Sequence, residues 1–263
     1  MDLADKVVVV TGASMGIGEA IARLFVETGA RVVLLSRDAS RAEAARSRIA
    51  KAERTLALSC DVRHREEIDR VISLTLHHFG RIDIWVNNAG HGLIDSVAQT
   101  DMAACRDLFE TNLFGAVAAM QAVLPLMKEQ NGGTIINISS VAGHIPLAYS
   151  GSYSGSKFAL NAMGKAARIE LRKRNVNVLT VCPGYVRTDF SANAVRGREL
   201  KKVRPATVRG ISVERVAQAT LAGYLKKKRE VVVPWTMHPV IKLYQLFPGL
   251  VEWAMVRLAK PAE

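Results

Sequence analysis

The sequence predicts a single doubly wound α/β domain: a seven-stranded parallel sheet flanked by helices, carrying an apolar helical C-terminal extension. Two observations carry this. Short β-branched runs alternate along the chain with longer stretches of helical periodicity, a rhythm that implies parallel strands covered on both faces. And a glycine-rich turn lies directly between the first strand and the first helix. The length of 263 residues suits one such domain with a large core. A composition of 49% hydrophobic and 23% charged residues excludes disordered and fibrous classes.

The elements follow in order. Residues 6–10 read as a buried strand. Ile17, Ala20, Ile21, Leu24 and Phe25 then recur at helical spacing, and Gly29 stands where a helix ends. Residues 31–35 form a second strand, and a charged helix is expected over 40–54. Further strands are expected at 55–59, 82–86, 134–138, 177–181 and 230–233. The helices between them cover 66–79, 102–129, 153–174 and 213–225. The domain then spans residues 1–234 and the extension residues 235–263. Two regions break the rhythm. Residues 189–210 are polar and basic, with Arg196, Arg198, Lys201, Lys202, Arg204 and Arg209, and their length suggests a functional loop or lid. The extension predicts two short apolar helices, one through Val240, Ile241, Leu243, Tyr244, Leu246 and Phe247. The other runs through Leu250, Val251, Trp253, Ala254, Val256 and Leu258, and Pro248-Gly249 separates the two. Lys242, Glu252, Arg257 and Lys260 are interspersed. Packing on the protein's own core or on a partner subunit, a lid over a greasy pocket, and a peripheral membrane contact through 235–260 all fit this pattern.

Charge and cysteine usage bound the setting. With 36 basic and 24 acidic side chains the net charge is +12, which attracts phosphates, acidic partners or anionic lipid. No nucleic-acid-binding motif accompanies it, so nucleic acid is not an expected partner. Three cysteines, Cys60, Cys105 and Cys182, form no disulfide framework and suit a reducing, cytoplasmic setting. No apolar run of 18 residues and no signal peptide are expected. There is no Cys/His cluster at metal-ligand spacing, so no metal is expected.

The turn reads Thr11-Gly12-Ala13-Ser14-Met15-Gly16-Ile17-Gly18. Glycines here let the backbone turn tightly and approach a pyrophosphate, which the open amides of a helix N-terminus bind. The second strand runs out at Ser36-Arg37, where an acidic residue would hold the ribose 2′-hydroxyl of NAD and an arginine suits the 2′-phosphate of NADP. Arg37 makes NADP(H) the expected cofactor, while Asp38 one residue later is a rival for the ribose. Tyr153 and Lys157 are four apart, so they share one helix face. A nearby ammonium, together with the positive nicotinamide of an oxidised cofactor, is expected to bring the tyrosine down from its usual value near 10, readying it for proton transfer. Ser140 follows the strand at 134–138, at the sheet edge where such folds bind ligands, and its hydroxyl could stabilise developing charge on a carbonyl oxygen.

These motifs, joined by Asp61-Val62, Asn87-Asn88-Ala89-Gly90, Asn112 and Pro183-Gly184 with Thr188, resemble the short-chain dehydrogenase/reductase family over about residues 3–234. The resemblance implies a Rossmann-type domain and a ketone/alcohol oxidoreductase with the catalytic set Asn112, Ser140, Tyr153 and Lys157. It selects Ser140 over Ser139, assigns Asn112 to a water-linked proton relay, and matches Arg37 to the NADP-preferring branch. It implies cofactor contacts from Gly12, Ser14, Met15, Gly16, Ile17, Gly18, Ser36, Arg37, Asp61, Val62, Asn88, Ala89, Gly90, Tyr153, Lys157, Pro183, Gly184, Val186 and Thr188, with Lys157 holding the nicotinamide ribose. It also implies a homo-oligomer, dimer or tetramer. The extension is similar to that of members acting on bulky hydrophobic substrates, so a hydrophobic carbonyl or alcohol is the expected substrate. The alternatives are reduction of 3-oxoacyl thioesters on a carrier protein or coenzyme A, and a non-catalytic NADP-binding redox sensor. His91 and His144 are expected to line the pocket or the surface, and Cys182 to be a small buried side chain.

Overall fold

The computed structural model describes residues 3–49, 51–197 and 210–258. Of the predicted basic loop, Arg198, Lys201, Lys202, Arg204 and Arg209 lie outside these, as does Lys260.

Seven strands form one parallel sheet. They are β1 (Val7–Val10), β2 (Arg31–Ser36), β3 (Thr55–Ser59), β4 (Ile84–Asn87), β6 (Gly133–Ile138), β7 (Val176–Pro183) and β9 (Glu230–Val233). Their order is β3-β2-β1-β4-β6-β7-β9. The chain reverses its direction of travel across the sheet between β1 and β4, which opens a crevice at the carboxyl ends of these two strands. Strand geometry sends alternate side chains to opposite faces. Val8, Val10, Val32, Leu34, Val86 and Ile136 therefore pack under helices α1 (Gly16–Glu27) and α7 (Val213–Leu225). Val9, Val33, Leu35, Trp85 and Ile135 pack on the other face, under α3 (Arg65–Phe79) and α5 (Gly115–Glu129). Because both faces are covered, the strands read as continuous apolar runs.

One buried carboxylate fixes the amino edge. Asp83 accepts from the Val7 amide at 3.0 Å, Lys6 Nζ at 3.0 Å and the Arg81 guanidinium at 2.7 and 2.9 Å. Burial pushes its carboxyl up, and this set of donors more than offsets that, holding it below the usual range.

Three expectations are corrected, and one element is new. The charged helix is shorter than 40–54: α2 spans Ala39–Ser47, and a separate 3-10 turn covers Ala52–Arg54. Here Ile49 turns into the core while Arg48 leaves for Glu19, which ends the helix. The helix at 102–129 is three pieces: α4 (Met102–Phe109), a π-helical turn (Glu110–Phe114) and α5. Helix α6 (Gly151–Glu170) stops before 174, because Arg172–Arg174 tightens into a 3-10 turn and Asn175 takes a left-handed conformation. A short parallel pair, β5 (Leu93–Ile94) with β8 (Val195–Arg196), has no counterpart in the sequence reading and ties the start of the 189–210 segment over the crevice.

The extension forms α8 (Met237–Leu246) and α9 (Pro248–Leu258), broken at Phe247-Pro248 close to the expected break. Ile241 is buried against Val141, Ile145, Cys182 and Val232, with Tyr244 and Met255 packed on the same group. The inner face of the extension thus lies on the protein's own core. Among the described residues no helix is long and apolar enough to cross a membrane.

Candidate active site

The sequence-predicted site residues converge on the carboxyl edge of the sheet. Gly12, Ser14, Met15, Gly16, Ile17 and Gly18 make the β1–α1 turn. Ser36 and Arg37 end β2, Asp61-Val62 follow β3, and Asn88-Ala89-Gly90 follow β4. Ser140 follows β6, and Pro183, Gly184, Val186 and Thr188 close β7 and its loop.

The glycine turn is stapled from below. Asn88 Nδ2 donates to the Thr11 and Gly12 carbonyls at 2.9 and 3.0 Å, and Thr11 Oγ1 accepts from the Asn88 and Ala89 amides at 2.9 Å. Gly12 sits at φ +62°, and a Cβ there would lie 2.9 Å from Ala89 Cα. Gly18 has no room for a Cβ beside Asn88 Nδ2 and the Gly12 carbonyl. The N-cap of α1, Met15, supplies no side-chain hydrogen bond, so the first amides of the helix stay open to an anion. A backbone cradle of this kind fits a dinucleotide pyrophosphate.

At the end of β2, Asp38 is committed to capping α2. Its carboxylate accepts from the Ser40 amide at 2.8 Å, the Arg41 amide at 3.3 Å and the Ser40 hydroxyl at 2.6 Å. Arg37 is exposed and makes no hydrogen bond or ion pair among the described residues. Asp61 is gripped by the Arg63 guanidinium, which also reaches Asp107. Burial works to raise the Asp61 carboxyl, and its Arg63 contacts outweigh this and hold it low.

Tyr153 and Lys157 share one face of α6, as their spacing predicts. Lys157 Nζ lies 5.8 Å from the Tyr153 ring centroid and donates to the Ile138 carbonyl at 3.1 Å. Ser140 hydrogen-bonds to Tyr153, and its hydroxyl also accepts from the Ala142 amide at 3.0 Å, capping a 3-10 turn. The expected depression of the tyrosine is not what this geometry gives. Burial pushes Tyr153 up to about 12, opposed only by Ser140, and pushes Lys157 down to about 8. The ammonium faces a backbone carbonyl rather than the phenol oxygen, so desolvation prevails.

Asn112 lies on the π turn, where the extra residue turns it inward, fully buried. Its amide clamps the backbone of His91, accepting from N–H and donating to C=O at 3.0 Å each, and donates to Ser156 Oγ at 3.2 Å. Gly90 is what admits it, since a Cβ there would meet Asn112 Oδ1 at 2.8 Å and Lys157 Nζ at 3.8 Å. Ser139 is buried and donates to the Lys157 carbonyl at 3.4 Å. Sequence reading missed Ser156, whose hydroxyl joins Asn112 to the Tyr153 carbonyl. It also missed Phe190, whose ring lies 5.6 Å from that of Tyr153. A lone phenylalanine in a polar loop was the available signal for the latter.

A dinucleotide cradle beside a Ser–Tyr–Lys set at a topological switch point defines a nucleotide-dependent oxidoreductase. A family model described as short chain dehydrogenase matches residues 6–199. The bovine dehydrogenase/reductase SDR family member 7B is 34% identical over 257 residues, covering 94% of this chain and 79% of that protein. A Drosophila melanogaster SDR family protein 7-like relative is 32% identical over 269 residues, covering 99% and 82%. Among solved structures, a Burkholderia cenocepacia short chain dehydrogenase in complex with NADP superposes with TM-score 0.80 at 27% identity, covering 99% and 100%. A Burkholderia phymatum short chain dehydrogenase/reductase in complex with NAD shares the fold, with TM-score 0.84 at 22% identity over 95% and 96%. The chain belongs to the short-chain dehydrogenase/reductase family, and a nicotinamide dinucleotide is its class of cofactor.

Proposed function

We propose that the protein is an NADP(H)-dependent oxidoreductase that interconverts a ketone and a secondary alcohol on a bulky hydrophobic substrate, with Tyr153 as acid/base. The convergence of Ser140, Tyr153 and Lys157 at the carboxyl edge, with Asn112 directly behind them, carries this reading. When bound, the nicotinamide supplies or accepts the hydride. Tyr153, held protonated at neutral pH by burial, donates its phenolic proton to the carbonyl oxygen. Ser140 stabilises the charge that develops there. Lys157 lies on the same face of α6 as Tyr153, with its ammonium over the Tyr153 ring at 5.8 Å, and burial brings it down to about 8.

Arg37 supports NADP: among the described residues its guanidinium, at the end of β2, makes no hydrogen bond or ion pair, while the rival Asp38 is occupied by its cap. Exposed Leu147, Tyr149, Tyr185 and Phe190, on the loops after β6 and β7, support a hydrophobic substrate. A basic surface at the site would favour the thioester alternative, and the chain has a second basic run, Lys226-Lys227-Lys228-Arg229, besides the 189–210 segment. That run immediately precedes β9 and so lies at the amino edge of the sheet, opposite the site. It is therefore not placed to receive an acyl carrier.

Replacing Tyr153 with Phe is expected to lower turnover of a hydrophobic ketone by roughly 10²- to 10⁴-fold while NADPH still binds. Turnover retained in that variant removes the assignment. In parallel, Arg37→Ala is expected to weaken NADPH binding about tenfold and leave NADH binding unchanged, as loss of one charge-assisted phosphate contact requires. Equal effects on both nucleotides would exclude Arg37 as the 2′-phosphate ligand.

A further inference from the structure

Folding brings together three metal-ligating side chains that lie far apart in sequence and that the reaction does not use. His144 stands on the loop after β6, Cys182 near the end of β7 and Glu230 at the start of β9. In the register of β7 on β9, Thr180 pairs with Glu230 and Cys182 with Val232. Cys182 and Val232 enter the same apolar group beneath the extension, and Glu230, two residues before Val232, points to that same face. His144 comes down over them. Its Nε2 lies 3.4 Å from Cys182 Sγ and 3.5 Å from Glu230 Oε2, and the three ligand atoms all fall within 4.8 Å of one another.

We propose that His144 Nε2, Cys182 Sγ and Glu230 Oε2 form a binding site for a zinc-class divalent ion, with the fourth position open. The two distances from Nε2 suit it. Zinc bonds of about 2.0–2.3 Å to nitrogen, oxygen and sulfur at tetrahedral angles put neighbouring ligand atoms about 3.3–3.6 Å apart. The two contacts of Nε2 already have these values.

The hydrogen-bond chemistry of the cluster points the same way. Three polar atoms crowd the one nitrogen: Cys182 Sγ, Glu230 Oε2 and Asn161 Nδ2, the last at 3.4 Å. A protonated Nε2 would face the N–H of Asn161 donor to donor. An unprotonated Nε2 would face the Glu230 carboxylate lone pair to lone pair. No single proton satisfies both, whereas a cation accepts from nitrogen, sulfur and carboxylate at once, leaving Asn161 Nδ2 to its 2.9 Å bond with the Gly143 carbonyl. The mixed thiolate, imidazole and carboxylate set selects zinc-like ions over magnesium or calcium. Cys182 and His144 are buried, and Glu230 is partly exposed. A cavity of about 480 Å³ lined by His144, Asn161, Lys165 and Tyr244 offers the entry path. Lys165 Nζ, 3.9 Å from Glu230 Oε2, is the competing cation that the ion displaces.

Binding has a chemical balance and a structural consequence. The Cys182 thiol, which burial keeps protonated, releases its proton to solvent as the metal–sulfur bond forms. Cys182 precedes Pro183, whose carbonyl accepts from Ser140 Oγ at 3.4 Å, and His144 follows Ser140 by one turn of loop. An occupied site would brace the loop that holds Ser140 against the end of β7.

The test is metal titration of the full, tag-free chain after chelator treatment. One equivalent of Co²⁺ should give a near-ultraviolet thiolate-to-cobalt band with tetrahedral visible bands, and Zn²⁺ should displace it where Mg²⁺ does not. Zn²⁺ should also raise the melting temperature. Cys182→Ser should abolish the band, while Cys60→Ser and Cys105→Ser keep it. Glu230→Gln, at a partly exposed position that leaves the core intact, should weaken Co²⁺ at least tenfold with unchanged circular dichroism. Absence of the band, its survival in Cys182→Ser, or unchanged affinity in Glu230→Gln would each overturn the site.

Discussion

Lys157 carries a buried charge that its surroundings do little to offset. Its ammonium is buried and, among the described residues, donates to a neutral carbonyl, that of Ile138. Burial therefore brings it from an ordinary 10.5 to about 8. The sign of the pH dependence follows. Below about pH 8 both folded and unfolded chains carry the proton, and the burial penalty is fully present. Between about 8 and 10.5 the unfolded chain binds the proton that the folded chain has lost, so this residue's contribution to stability improves as pH rises. The penalty at pH 7 amounts to roughly 3 kcal/mol. Lys157→Met is thus expected to unfold at a higher temperature than the native chain at pH 7, with the advantage shrinking as pH approaches 10.5. Thermal unfolding monitored by circular dichroism across that range checks it. A variant less stable than the native chain at pH 7 would show that the Ile138 hydrogen bond outweighs desolvation. The same burial keeps Tyr153 protonated, so the instability at Lys157 and the proton held for the substrate have one physical origin.

At the scale of elements, what was legible in the sequence is what repeats. Val7–Val10 and Arg31–Ser36 were readable because strands covered on both faces must be apolar at nearly every position, Gly12 and Gly18 because the turn admits no Cβ where Asn88 and Ala89 close on it, and Gly16 because its φ is +61°. Tyr153 and Lys157 were readable because four residues return to the same helix face. The missed features each hang on one residue or on distance in the chain. The π turn at Glu110–Phe114 inserts one residue into an otherwise helical pattern, which leaves the periodicity intact to the eye while turning Asn112 inward. Strands β5 and β8 are two residues each, too short for any alternation to register. The direction of the Tyr153 shift depended on where Lys157 Nζ points, and spacing along a helix fixes the face but not the hydrogen-bond partner. The His144–Cys182–Glu230 group is assembled by the order of β6, β7 and β9 in the sheet, so no ligand spacing in the chain announces it.

On the scale of the whole molecule, the two edges of the sheet divide the labour. Asp83 and the basic run at 226–229 occupy the amino edge, while the cradle, the Ser–Tyr–Lys set and the extension gather at the carboxyl edge. The extension belongs to the site's support. Ile241 of α8 is buried against Val141 and Ile145, on the loop that Ser140 opens, and against Cys182 at the end of β7. Its outer face leaves Leu246, Phe247, Leu250, Trp253 and Val256 exposed, with the Arg257 guanidinium stacked 3.9 Å over the Trp253 ring. Inner and outer faces therefore make separable predictions. Ile241→Ala empties part of a packed group, and its expected cost is about 2–4 kcal/mol of stability. Because the emptied space adjoins the Ser140 loop, kcat should fall while nucleotide affinity holds. Trp253→Ser removes an exposed ring and should stay within about 0.5 kcal/mol of the native stability. If the outer face meets a second copy of the chain, Trp253→Ser will lower the sedimentation coefficient at micromolar protein while Ile241→Ala leaves it unchanged. An Ile241→Ala variant with native stability and native kcat would detach the extension from the active site and leave α8 a passive cover.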